Sequence, residues 1–223
     1  MMKGDHIPHP SDAALPERLA RQLRFVRELD RLKGVLRRTS LADRSRRENS
    51  AEHSWHLATM ALALAEYAPD GTDAARAVEL LLVHDVVEID AGDTFAFDVV
   101  GNGDKAARET AAAERLFGLL PEDLGREFRV RWEEFEAGET PEARFANALD
   151  RFQALVQNDA AGDGGTWRAH AVSRDAVLRR MAPIRDGAPA LWPAVLDAVG
   201  RATATGHVSG GRADATSSHD ERK

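Results

Sequence analysis

A largely apolar run, Ala77 to Val83, leads straight into His84-Asp85-Val86-Val87-Glu88. The run predicts a helix whose end carries a histidine and a carboxylate side by side in apolar surroundings. Adjacent side chains on a helix lie about 100° apart, so His84 and Asp85 reach one ion only where the helix faces a pocket. Glu88 follows four residues after His84 and three after Asp85, on the same face. A His-Asp pair alone also fits a histidine that hydrogen-bonds a neighbour at a helix end. The rest of the chain has to decide between the two.

Helical periodicity recurs along most of the 223 residues. Leu19, Leu23, Val26, Leu29 and Leu32 repeat at threes and fours over Leu15 to Lys33, with Gly34 as a stop. A basic stretch follows (Val35-Leu36-Arg37-Arg38-Thr39-Ser40, then Arg44, Arg46 and Arg47), read as a loop and as the best candidate for a phosphate contact. Ser50 is the expected N-cap of a helix through Tyr67, with His53 at its third position. Thr72 or Asp73 caps the helix that ends near Asp90. Ala91-Gly92-Asp93-Thr94 is a tight turn that holds Asp93 beside the doublet or uses it as an ordinary turn aspartate. Phe95 to Asp104 reads as a loop, and Lys105 to Leu120 as a helix. Pro121-Glu122-Asp123 starts another that carries Trp132 and Phe135 as core anchors. Thr140-Pro141 starts a helix with Phe145, Leu149, Phe152, Leu155 and Val156 on its apolar side. Trp167 to Arg185 and Ala190 to Ala202 complete the set. The expected fold class is all-α, in one domain over 15–202. A flexible leader (1–14) and a Gly/Ser/Thr-rich disordered tail (203–223) flank it.

Composition narrows the function classes. A net charge of −7 argues against broad attraction to nucleic acid, while leaving room for a nucleotide in a local basic pocket. With no cysteine, disulfide and thiolate chemistry are impossible. No window approaches a membrane span and no apolar leader is evident, so a cytoplasmic protein is expected.

Four residues on three predicted helices stand out: His53 or its neighbour His56, then His84-Asp85, then Asp150. Asp150 lies mid-helix beside an apolar stripe, where Arg151, another cation or a metal must neutralise it. Two imidazoles and two carboxylates suit Mn, Co, Fe, Ni or Zn rather than a thiophilic ion, and leave open coordination positions.

The segments Arg47-Glu48-Asn49-Ser50-Ala51-Glu52-His53-Ser54, Val83-His84-Asp85-Val86-Val87-Glu88, Gly92-Asp93 and Leu149-Asp150 resemble the HD-domain superfamily of metal-dependent phosphohydrolases. The likeness is closest to the 5′-deoxynucleotidase branch and its eukaryotic relatives, and it covers roughly Leu32 to Asn158. It implies an all-helical bundle with a divalent ion (Mn, Co or another transition metal, with Mg as a further candidate) on His53, His84, Asp85 and Asp150. It selects His53 over His56. It implies that Glu88 is the catalytic carboxylate, that Asp93 serves substrate or the attacking water, and that Arg38 orients the phosphate. Two positions depart from the branch: Thr39 stands where a Trp commonly follows that arginine, and Thr94-Phe95-Ala96 lacks the usual Pro-Thr character. The implied function is phosphate release from a (deoxy)nucleoside 5′-monophosphate by a cytoplasmic homodimer that engages neither nucleic acid nor membrane. The alternatives are HD-type hydrolysis of a phosphodiester or a nucleoside triphosphate, or a metal- or ligand-binding module without turnover.

Overall fold

The structure, a computed structural model, describes residues 14–98 and 100–210. Its elements are α1 (Glu17–Leu29), β1 (Leu36–Ser40), β2 (Arg47–Asn49), α2 (Ser50–Ala63), α3 (Ala74–Val83), α4 (Glu88–Ala91), α5 (Lys105–Phe117), α6 (Glu122–Ala137), α7 (Pro141–Ala160), α8 (Gly165–Ala169), α9 (Arg174–Met181), α10 (Ile184–Gly187) and α11 (Trp192–Ala204). The fold is all-α, as expected. Among the described residues no helix is long and apolar enough to cross a membrane.

The helix starts follow from local chemistry. Thr140 accepts the Ala143 N–H at 3.1 Å, with Pro141 in the first turn of α7. Asp73, rather than Thr72, accepts the Ala75 N–H at 2.9 Å to cap α3. At α2 the expected cap shifts by one residue. Asn49 accepts from the Glu52 N–H at 2.9 Å, and the Glu52 carboxylate accepts from the Asn49 N–H at 3.3 Å, forming a capping box. Ser50 is thereby freed for another partner.

Three expectations are corrected. The basic stretch forms an antiparallel hairpin, with Leu36 opposite Asn49 and Ser40 opposite Arg47. The Arg47 guanidinium holds it by donating to the carbonyls of Leu36 and Arg37. The single helix expected over Trp167 to Arg185 is three short ones. Ala171 takes a left-handed φ of 50°, Ser173 caps α9, and Pro183 separates α9 from α10. The tail does not begin at Thr203. Ser209 pairs with Ser173, and Val208 is buried. The expected leader 1–13 and tail 211–223 lie outside the described residues.

Two apolar cores flank the doublet. Leu57, Leu80, Leu81, Phe145, Leu149 and Trp167 belong to one; Phe25, Val83, Val86, Val87, Leu116 and Trp132 belong to the other. The chain crosses from the first core to the second between Leu81 and Val83, just before His84. The helix tightens there to a 3-10 turn over His84–Val87. In that geometry residues three apart eclipse, which brings Asp85 and Glu88 to one side.

Candidate metal and phosphate site

His53, His84 and Asp150 converge from α2, the 3-10 turn and α7, with one ligand atom of each within 4.8 Å of the others. His53 Nε2 lies 3.1 Å from Asp150 Oδ1 and 3.8 Å from Asp85 Oδ2. His84 Nδ1 donates to the Leu81 carbonyl at 2.8 Å, so its Nε2 carries a lone pair. That nitrogen has no hydrogen-bond partner and lies 3.1 Å from Asp85 Oδ1. A lone pair facing a carboxylate oxygen is the arrangement a cation resolves. His53 Nδ1, also unpartnered, lies 3.6 Å from Glu48 Oε2 on its other side. Glu48 is buried and accepts from Gln153 at 2.7 Å and Gln157 at 2.8 Å, which aims it at the His53 ring. A carboxylate behind a ligating histidine fixes ring orientation and raises its basicity. The N/O donor set and the orphaned Nε2 of His84 fit a divalent transition metal.

Arg37 is the cation at the centre. Its Nη1 lies 3.1 Å from Asp85 Oδ2 and 3.8 Å from Asp93 Oδ1, its Nη2 3.9 Å from Asp150 Oδ1, and its Nε 3.5 Å from Glu48 Oε2. Burial opposes its charge, but Asp85, Asp150, Glu88 and Asp93 outweigh burial and hold the guanidinium charged. Arg180 approaches Asp150 Oδ2 to 3.6 Å. Burial pushes the Asp150 carboxyl up, yet His53, Arg180 and Arg37 together hold it well below the usual range. His53 is also opposed by burial and by Arg37, but Asp150, Glu48 and Asp85 raise it to about 9. Burial keeps His84 neutral.

Glu88 behaves differently. Burial, Asp85 and Asp93 push its carboxyl well above the usual range, against the pull of Arg37 and Ser50. The freed Ser50 hydroxyl donates to Glu88 Oε2 at 2.5 Å. Gly92, with φ +73°, reverses the chain after α4 so that Asp93 faces Arg37. Burial raises Asp93 as well, opposed by Arg37. One cavity collects these groups. Arg38, Thr39, Asp85, Glu88, Asp93 and Asp150 line it, and Lys105, Glu109 and Glu136 stand on another wall.

The profile of the HD domain matches residues 29–192. The chain belongs to the HD domain family. This HD domain is 35% identical to human 5′-deoxynucleotidase HDDC2 over 137 residues, 60% of this chain and 65% of the human one. It is 28% identical to a 5′-deoxynucleotidase of Yersinia pseudotuberculosis serotype I, over 73% of this chain and 87% of that one. A crystal structure from Magnetospirillum magnetotacticum MS-1, named as a predicted metal-dependent phosphohydrolase, superposes with a TM-score of 0.82 at 49% identity. That match covers 86% of this chain and 96% of the other. The present chain thus spans about two thirds of the human relative's length.

Within the HD domain the structure brings His53, His84, Asp85, Glu88, Asp93 and Asp150 together. His56 stands aside, its Nδ1 3.3 Å from Gln153 Nε2. Strand alternation in β1 turns Arg37 to the carboxylates and leaves Arg38 exposed at the cavity wall. Thr39, at the position after Arg38, lines the same cavity wall. Arg151 does not neutralise Asp150 by an ion pair. Its Nη1 donates to Asn147, and Arg180 and Arg37 take that place. Sequence reasoning alone gives Glu48, Ser50 and Arg180 no part in the site. Glu48 and Ser50 sit inside the motif around His53, but only tertiary packing shows what they face: Gln153 and Gln157 of α7 for Glu48, and Glu88 of α4 for Ser50.

Proposed function

We propose that this HD domain is a metal-dependent phosphomonoesterase that releases phosphate from nucleoside 5′-monophosphates, 2′-deoxy forms included. The observation that carries the reading is the unpartnered Nε2 of His84, facing Asp85 within the His53–His84–Asp150 group and beside charged Arg37. The names of the human, Yersinia and Magnetospirillum relatives agree with it. His53, His84, Asp85 and Asp150 would hold the ion, with Mn or Co the first candidates. A bound divalent ion supplies Lewis-acid polarisation of a phosphoryl oxygen and a lowered pKa for water.

The chain's own residues supply the rest. Arg37 sets a fixed guanidinium against the phosphoryl oxygens and offsets the charge that grows on them. Glu88 exchanges a proton with water or leaving group through a carboxyl that burial and neighbouring acids raise well above the usual range. Ser50 orients that carboxyl through its 2.5 Å hydrogen bond. Asp93 holds Arg37 in register and borders the substrate. Arg38 and Thr39 line the wall without an indole, so sugar discrimination is expected to be weak. The same resemblance supports a cytoplasmic homodimer with a small-molecule substrate and no nucleic-acid partner.

Phosphate release from paired ribo- and deoxyribonucleoside 5′-monophosphates tests the reading, using metal-stripped protein with Mn, Co, Mg, Ni or Zn restored singly. Metal-dependent release on both sugars is expected. Absence of release from every monophosphate would overturn it.

A further inference from the structure

Most arginines in this acidic chain are matched to a carboxylate. Arg18 pairs with Asp123, Arg46 with Glu52, Arg76 with Glu134 and Arg201 with Asp159. One groove breaks the pattern. Arg144 and Arg151 on α7, Arg179 on α9 and Arg185 on α10 line a common depression of about 770 Å³ between the end of α6 and these helices. None of the four forms an ion pair among the described residues, although Glu136 and Asp186 stand on the rim.

The cations are presented on a firm support. Arg144 and Arg151 are seven residues apart, on one face of α7 and about 10 Å apart along its axis. Asn147 lies between them and takes two bonds from Arg151 Nη1, at 2.6 Å through its carbonyl and 2.9 Å through its side chain. Arg151 Nε is buried and has no partner. Arg185 lies over the Trp192 ring, 4.2 Å from its centroid. Gly187 lets α10 close on α7, since a Cβ there would stand 2.1 Å from the Arg144 carbonyl oxygen. Guanidinium groups held this way on several helices bind phosphate oxygens in the planar, forked manner for which arginine is suited.

We propose that this groove is a second anion site, separate from the metal centre, and that it takes a small ligand with two or more linked phosphates, as a nucleoside di- or triphosphate carries. The spread of the four cations suits more than one phosphate. The net charge of −7 opposes a long polyanion, so the ligand is small. Arg151 and Glu136 line both this groove and the metal-site cavity, which makes Arg151 the shared wall between them.

The probe is pyrophosphate, titrated calorimetrically into the full-length protein and three variants. Arg37→Ala removes the anion contact of the metal site. Arg144→Glu with Arg179→Glu reverses two groove charges on exposed side chains, and Arg144→Lys with Arg179→Lys keeps them. Binding that survives Arg37→Ala, weakens at least tenfold in the double Glu variant and stays within a few fold in the double Lys variant is the expected result. Binding lost in Arg37→Ala and untouched by both double variants would place pyrophosphate in the metal-site cavity alone and overturn the proposal. Absence of binding up to millimolar pyrophosphate would overturn it too. None of these readouts depends on turnover, so the groove can fail while the phosphomonoesterase reading stands, and the reverse.

Discussion

Two carboxylates in the site carry opposite assignments because their surroundings differ. Burial, Asp85 and Asp93 raise the Glu88 carboxyl well above the usual range, whereas His53, Arg37 and the glutamines outweigh burial at Glu48 and lower it. A carboxyl raised toward neutral pH can exchange a proton, and one that favours its charged form can orient a ring. Glu88→Gln keeps the shape and the Ser50 contact but removes the titrating group. Turnover is expected to fall by about 10²–10⁴-fold, with metal content by elemental analysis unchanged. Undiminished turnover would remove Glu88 from the chemistry. Glu48→Gln should leave the fold intact and weaken metal affinity about 10–100-fold in chelator competition, the usual effect of losing a carboxylate behind a ligating histidine. Equal affinity would make Glu48 a structural residue only.

At the scale of elements, short ones decide the site. The β1–β2 hairpin is eight residues of strand, yet its two-residue period chooses Arg37 over Arg38. The Asn49–Glu52 capping box starts α2 one residue earlier than Ser50 would and leaves Ser50 for Glu88. Docking of α1 onto α5 rests partly on charge. Glu28 accepts from Arg115 at 3.0 Å and from Arg31 at 2.7 Å, and Arg115 also grips Asp90 behind the site. Burial raises the Glu28 carboxyl, but the two arginines outweigh it and the net shift is downward. A carboxylate lowered in the folded state stabilises above its unfolded pKa of about 4.3 and loses that contribution as pH falls through the folded value. The melting temperature of Glu28→Gln should therefore lie below that of the parent at pH 6 and converge with it toward pH 3. A gap that stays constant over that range would show that Glu28 acts through packing rather than charge.

For the whole molecule, the metal site is where two cores and three distant stretches of chain meet. His53, His84 and Asp150 come from segments that only tertiary packing brings together, so an ion bound to all three stabilises the folded state alone. At a hundredfold excess over Kd the gain is about 2.7 kcal/mol. For a domain of this size that corresponds to a rise in melting temperature of roughly 5–10 °C. Differential scanning fluorimetry with Mn or Co, against a chelator, checks it. His84→Ala should abolish the rise, and an equal rise in that variant would place the ion elsewhere.

The amino-acid sequence by itself determined the helical class, the cap at Thr140, a choice of Thr72 or Asp73 for the cap of α3, and the residue types of the metal group. Each of these is local: a 3.6-residue apolar period, a side-chain oxygen placed to accept a free N–H, a histidine and an aspartate behind an apolar run. Its motif spacing was also specific enough to point to the HD family. Only the tertiary structure decided that Arg37 rather than Arg38 faces the carboxylates, that Glu48 backs His53, and that Arg180 and Arg37, rather than Arg151, are the cations paired with Asp150. Those choices depend on which way a strand residue points and on how closely α2 and α9 approach α7. Direction and approach are set by burial across the whole core, through contacts between residues about a hundred positions apart, which no local window contains.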